Sequence, residues 1–170
     1  ANWILKATLS KNRLSDLQRH IDGRQLAGVG RPMAVVIDER SGNGYLAAGQ
    51  DGGTANRRDS ALVFYAPGSG RLAAAFPAGL YDLVDLAYSP ASGNLYAVDA
   101  GWHDEASGGV YRLDAKTIDG RQQCEAVRIA ACERPTSLAF APAGTVLYVT
   151  VLGSDNEEAG GQLLKITGPF

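Results

Sequence analysis

The sequence predicts an all-β fold, a partial β-propeller of about three and a half four-stranded blades on a repeat of ~51 residues. Three observations predict it. An apolar strand recurs as Arg31-Pro32-Met33-Ala34-Val35-Val36-Ile37-Asp38, Leu83-Val84-Asp85-Leu86-Ala87-Tyr88-Ser89-Pro90 and Arg134-Pro135-Thr136-Ser137-Leu138-Ala139-Phe140-Ala141-Pro142. Matched residues follow at a constant interval. Tyr45, Tyr96 and Tyr148 are 51 and 52 positions apart, as are Val35, Leu86 and Leu138, while Gly49, Gly101 and Gly153 are 52 apart. The first two copies share the turn Ser-Gly-Asn, at Ser41-Gly42-Asn43 and Ser92-Gly93-Asn94, whose Gly and Asn tolerate positive φ.

Each unit continues to a third apolar strand: Leu62-Val63-Phe64-Tyr65, Val110-Tyr111-Arg112-Leu113 and Leu163-Leu164-Lys165-Ile166. The first two add a fourth, Leu72-Ala73-Ala74-Ala75-Phe76 and Ala126-Val127-Arg128-Ile129-Ala130. Strands apolar on both faces suit sheets stacked between neighbours. The expected division within one domain over 1–170 is outer strands of a blade over 1–30, blades over 31–81 and 82–133, and a blade lacking its last strand over 134–170. In the first segment, Trp3-Ile4-Leu5-Lys6-Ala7 matches Leu163-Leu164-Lys165-Ile166-Thr167, and Ile21-Asp22-Gly23-Arg24-Gln25 recurs as Ile118-Asp119-Gly120-Arg121-Gln122 in the link before a fourth strand. The spacing of Leu14, Leu17 and Ile21 predicts a short helical turn between them.

Composition fits a turn-rich β protein: 170 residues, 45% hydrophobic, 21 glycines and 20% charged residues. Sixteen basic against 18 acidic residues give a net charge of −2, which argues against a broad basic surface for nucleic acid. No apolar run approaches the ~20 residues of a membrane-spanning helix. The chain starts at Ala1 rather than Met. The expectation is a removed signal peptide, with an extracellular or periplasmic location, or a piece of a longer chain. Cys124 and Cys132 flank a predicted strand, which would hold them about 26 Å apart at ~3.3 Å per residue. A disulfide needs Cα atoms within about 7 Å, so two buried thiols are expected.

The segment Asp85-Leu86-Ala87-Tyr88-Ser89-Pro90 with Gly93-Asn94-Leu95-Tyr96-Ala97-Val98-Asp99 and Gly109-Val110-Tyr111-Arg112-Leu113-Asp114 resembles the NHL-type propellers. So does Pro135-Thr136-Ser137-Leu138-Ala139-Phe140-Ala141-Pro142 with Leu147-Tyr148-Val149-Thr150. That group includes gluconolactonase-like, strictosidine-synthase-like, virginiamycin-lyase-like and ScyD/ScyE-type proteins. The resemblance covers 31–168 and implies a propeller. In metal-dependent members it also implies carboxylate, amide or His ligands around a central channel, and no full set of these is matched here. Such rings hold six or seven blades. An open wedge would leave an apolar face wet at each end, forgoing on the order of 10 kcal/mol. The expected partner is a second copy, another polypeptide or further sequence that completes the ring.

The loops after each second strand are long and polar, and by spacing Asp51, His103 and Asp155 fall at equivalent positions. Loops held by a rigid scaffold are a usual place for binding. Oxygen ligands such as Asp51, Asp155 and Glu157 would suit Ca²⁺, the one cofactor this pattern suggests; a solvated rim is the simpler alternative. Trp102 beside His103 and Asp104 is the sharpest group, an aromatic next to a titratable ring. Asp85, set between Val84 and Leu86, is expected either to line the channel or to hydrogen-bond backbone amides. Asp99 is expected to cap its turn, and Arg57-Arg58 to meet an acidic loop or anionic partner. No zinc, P-loop, dinucleotide or serine-hydrolase motif occurs, and His20 and His103 are the only histidines. Two functions stay open: a ligand- or protein-binding module using the loop rim, or part of a metal-dependent hydrolase or lyase.

Overall fold

The computed structural model describes residues 2–25, 31–38, 44–51, 58–153 and 160–170. Among them thirteen strands form four small antiparallel sheets. The first pairs β1 (Trp3–Ser10) with β2 (Arg13–Asp22). The second runs β3 (Arg31–Ile37), β4 (Leu46–Asp51), β5 (Ala61–Tyr65) and β6 (Leu72–Pro77). The third runs β7 (Leu83–Tyr88), β8 (Leu95–Asp99), β9 (Gly109–Ile118) and β10 (Arg121–Ala131). The last runs β11 (Pro135–Phe140), β12 (Val146–Val151) and β13 (Gln162–Thr167). Strands are neighbours in chain order throughout, so every link within a sheet is a hairpin.

The repeat is visible in the pairing itself. Each first strand carries an irregularity at one place, between Pro32 and Ala34, Leu83 and Asp85, and Pro135 and Ser137. The displaced residues Met33, Val84 and Thr136 keep the spacing of 51 and 52. The alignment of Tyr45 with Tyr96 and Tyr148 does not hold. Val36 pairs with Ala47 where Ala87 pairs with Tyr96 and Ala139 with Tyr148, so Ala47 takes the tyrosine position. The cause is a longer first turn: eight residues separate the paired Ile37 and Leu46, and six separate Tyr88 from Leu95 and Phe140 from Leu147. Gly49 likewise corresponds to Val98 and Thr150, not to Gly101 and Gly153.

The helical turn expected around Leu14, Leu17 and Ile21 is strand β2 instead. Two irregularities insert one residue each into β2, between its pairings of Gln18 and Ser15 and of Ile21 and Arg19. They convert strand spacing into intervals that mimic a helix. Ile21 is buried while Leu14 and Leu17 are exposed, so the three form no buried apolar stripe. The recurrence of 21–25 at 118–122 is also not structural. Asp119 and Gly120 form the β9–β10 turn with φ of 51° and 73°, and their counterparts are Lys11 and Asn12 (47° and 61°) in the β1–β2 turn. Both are two-residue turns with positive φ throughout, the kind that suits strand twist.

Three apolar clusters lie between successive sheets. Ile4 and Ile21 pack on Leu46, Ala48, Val63 and Tyr65. Ala47 and Leu62 meet Leu83 and Leu86. Tyr96, Val98 and Val110 meet Leu138, Leu147 and Val149. Approach is close at Gly49, where an added Cβ would sit 1.9 Å from Leu83 Cδ2. Phe170 stacks edge-on against Tyr96 and Phe140, with centroids 5.9 and 5.5 Å away, and its carbonyl accepts from Ser89 Oγ at 3.1 Å. Cys124 and Cys132 are free half-buried thiols, and burial pushes the Cys124 pKa up to about 11.

Candidate functional site

The β8–β9 loop is held from beneath by a fully buried carboxylate. Asp99, the last residue of β8, accepts three main-chain N–H groups: Tyr81 at 2.9 Å, Asp82 at 3.1 Å and Gly101 at 3.0 Å. Gly101 takes φ +66°, and a Cβ there would lie 2.9 Å from Gly108, so only glycine turns the chain here. Burial raises the Asp99 pKa against the pull of these hydrogen bonds, and the Asp82 charge adds to the rise.

This clamp fixes Asp82, whose own carbonyl accepts from Ala100 N at 2.9 Å. The Asp82 side chain is almost wholly buried and holds His103 twice. One oxygen accepts the His103 backbone N–H at 2.9 Å, and the other meets ring Nδ1. An ionised carboxylate only accepts, so it selects the ring form with hydrogen on Nδ1. In the neutral ring the lone pair then falls on Nε2, on a side chain one-third exposed to solvent. Trp102 beside it is half exposed. Across the rim, the Arg58 guanidinium lies 5.2 Å from the Tyr81 ring centroid. Its hydrogen bond with Tyr81 raises the Arg58 pKa further.

The rest of the loop is stiffened by its own bonds. Asp104 caps the 3-10 turn Glu105–Ser107, accepting from Ala106 N at 3.2 Å. Arg128 donates to Ala106 O and Gly108 O at 2.7 and 2.9 Å, and Tyr111 OH donates to Ser107 O at 2.5 Å. Asp104 is therefore engaged in shaping the loop.

The other predicted residues fall elsewhere. Asp85 bonds across sheets: one oxygen accepts from Ser137 Oγ at 2.6 Å and Leu138 N at 2.9 Å, the other from Leu86 N at 2.9 Å. This is the amide-bonding alternative. Asp51 ends β4 opposite Arg31, and Asp155 and Glu157 lie outside the described residues. The expected equivalence of Asp51 with His103 fails for the same reason as that of Tyr45. Arg31, the first residue of β3, corresponds to Asp82, the residue just before β7, so Asp51 matches Ala100. Among the described residues no three His, Cys, Asp or Glu side chains gather around one point.

Asp82 escaped the sequence reading. Its signal was a departure from the repeat: the matching positions hold Arg31 and Arg134. A cleft of about 600 Å³ lies at the other end of the strands, between Phe64, Phe76, Tyr88, Asn94 and Lys116. Nothing there is oriented as His103 is; its Asp114 is paired with Arg112 at 2.7 Å. The chemistry therefore favours the smaller rim.

No family model and no curated protein matches the chain. Among solved structures, a putative 6-phosphogluconolactonase from Bacteroides uniformis aligns with a TM-score of 0.50 and 16% identity, over 96% of this chain and 49% of its own. A functionally unknown protein from Desulfotomaculum acetoxidans aligns at 0.40 and 11% identity, over 96% of this chain and 61% of its own. This chain thus spans about half the length of the first and less than two thirds of the second. The likeness to the first is one of fold, and the class it defines is that of all-β proteins built from successive small antiparallel sheets.

Proposed function

We propose that this chain is part of a β-propeller that binds a ligand or protein partner through the rim carrying Asp82, Trp102 and His103. Sheets in chain order, contact of β3 with β7 and of β7 with β11, and a recurring irregularity in each first strand support the propeller. The observation that carries the binding reading is His103, whose ring is oriented by a buried carboxylate beside a half-exposed Trp102. Structures rarely bury a carboxylate to hold a partly exposed imidazole without need, since desolvating the charge is expensive. Nε2 accepts a hydroxyl, the indole covers an apolar ring face, and Arg58 adds positive charge. A hydroxylated ring, such as a sugar acid, fits that combination.

The test is titration with glucuronate and with galacturonate, sugar acids in ring form, in a Trp3→Phe background, where Trp102 is the only tryptophan. The expected result is a saturable change in emission, weakened at least tenfold by His103→Ala. An unchanged emission, or equal binding by His103→Ala, overturns the reading.

A hydrolase reading draws on the named activity of the Bacteroides structure and on the same lone pair. Nε2 would take a proton from water as its oxygen bonds to a lactone carbonyl carbon, Asp82 would stabilise the imidazolium, and the same proton would pass to the ring oxygen as the ring C–O bond breaks, giving the open hydroxy acid. The described residues supply no metal-binding set, so no step is routed through an ion. Hydrolysis of gluconolactone above background, abolished by His103→Ala and unchanged by added Ca²⁺, favours it over simple binding.

A further inference from the structure

Two junctions between sheets can be compared position by position. Where β7–β10 meets β11–β13, three rings come together. Tyr96, Phe140 and Phe170 form edge-on pairs with centroids 5.2, 5.9 and 5.5 Å apart. Where β3–β6 meets β7–β10, two of those rings have no counterpart. Ala47 stands at the Tyr96 position, and only Tyr88 keeps a ring, at the Phe140 position. β9 runs on as a strand to Ile118, whereas the chain past β13 turns Phe170 inward. Phe64 enters where the other junction has Arg112.

The cleft of about 600 Å³ described above opens at this junction. That size falls within the roughly 300–1,000 Å³ of small-molecule sites. One wall carries Phe64 and Phe76, edge-on to each other at 6.2 Å. The other carries Tyr88 with the small paired residues Ala115 and Cys124, which leave room in front of the rings. Burial, with the Asp38 charge adding to it, raises the Tyr88 pKa, so its hydroxyl stays protonated. Among the described residues no hydrogen bond engages that hydroxyl or the side chains of Asn94 and Gln122, which also line the cleft. The lining charges are spent on partners: Asp114 holds Arg112 at 2.7 Å, and Lys116 holds Glu125.

We propose that this cleft binds a neutral, flat aromatic molecule bearing a hydroxyl, its ring taking beside Tyr88 the place that Phe170 fills beside Phe140. The neighbouring junction supplies the shape of the guest. Edge-to-face partners favour an aromatic ring over a saturated one of the same outline. Paired wall charges favour a neutral guest, because a charged one would lose water without gaining a counter-charge. The free Tyr88, Asn94 and Gln122 groups can meet its hydroxyl. The site lies apart from the His103 rim, goes beyond the reading given for that rim, and stands or falls without it.

Calorimetric titration with 2-naphthol tests this, beside its saturated analogue 2-decalol and the anion 2-naphthoate. One-to-one binding is expected for 2-naphthol, with each analogue about fivefold weaker or more. Ala115 is exposed and lines the cleft, so Ala115→Phe brings a ring into it from the protein's own wall. That variant is expected to keep its circular dichroism spectrum and lose 2-naphthol binding. A second measurement needs no change to the cleft. In a Cys132→Ser background, bound 2-naphthol is expected to slow alkylation of Cys124 by iodoacetamide, and His103→Ala is expected to leave 2-naphthol affinity unchanged. Absent binding, equal binding of 2-decalol, undiminished binding by folded Ala115→Phe, or a Cys124 rate indifferent to 2-naphthol overturns the proposal. Loss of binding in His103→Ala would place the guest at the rim and overturns it too.

Discussion

The β7–β10 sheet and the two sheets flanking it carry related residues in unlike surroundings. On β7–β10, Leu86 faces the sheet before and Tyr96 with Val110 the sheet after, all buried. On the two flanking sheets the same register positions hold Val35, Tyr148 and Leu163, and these are exposed. The residue types did not become polar there. Burial in this molecule is thus set by having a neighbour, and the sequence pattern describes stacking rather than contact with water.

The largest expected effect breaks that comparison most directly. Leu86→Ala removes a side chain packed between two sheets and is expected to destabilise the fold by about 2–4 kcal/mol. Val35→Ala, measured by urea unfolding in dilute protein, is expected to change stability by less than about 0.5 kcal/mol. Equal losses would mean that Val35 is covered in the single chain.

The second comparison is between turns. Asp99 occupies the place held by Gln50 in the preceding sheet and Val151 in the following one. Asp99 binds three amides; Gln50, also buried, donates to Tyr65 OH at 2.6 Å and leaves its Oε1 without a partner. Asp99→Ala strands buried donors and is expected to lose about 2–3 kcal/mol, against about 1 kcal/mol for Gln50→Ala. The pH dependence sharpens this. Burial raises the Asp99 pKa above 3.8, so the folded protein holds that proton more tightly than the unfolded chain. Its stabilising contribution is full below that value and is lost as pH rises through the raised pKa. Asp99→Asn removes this decline. Asp114, whose pKa is lowered by the Arg112 hydrogen bond, works the opposite way and loses its contribution as pH falls.

Gly49 and Val98 make a third pair, at one register position in adjacent sheets. Val98 is buried without strain, while a methyl at Gly49 would collide with Leu83. Gly49→Ala is expected to lose about 1–3 kcal/mol through forced separation of the sheets. Leu83→Val should return part of that loss in the double variant, although alone it destabilises. Simple additivity would show that the sheets do not meet at this contact.

What was legible in the sequence follows from the same physics. The third and fourth strands of the repeats could be read because their apolar runs are short and bounded by turns. Tyr45 was set in the wrong place because a turn two residues longer shifts everything after it, and an interval counted along the chain cannot see that. Leu14, Leu17 and Ile21 misled because two inserted residues in β2 disguise a strand. The rim was half visible: Trp102 and His103 stand in an evident loop. Asp82 reaches His103 across 21 positions, through a hairpin whose geometry depends on Asp99, and no local pattern announces such a bond.

The smallest effect concerns the inner strands. Ala34, Asp85 and Ser137 share one register position on β3, β7 and β11. Asp85 reaches the next strand at Ser137 and Leu138, whereas Ala34 has no polar group with which to reach β7. The β7–β11 junction therefore has a polar tie at a position where the β3–β7 junction has none. The cycle of Asp85→Ala and Ser137→Ala is expected to give a coupling of about 0.5–1 kcal/mol, small because Ser137 is exposed. Amide exchange locates it: Leu138 N–H loses its acceptor in Asp85→Ala and should exchange faster, while amides of β3 and β4 keep their rates. Faster exchange spread equally over both junctions would show that Asp85 supports the whole stack instead of tying one sheet to the next.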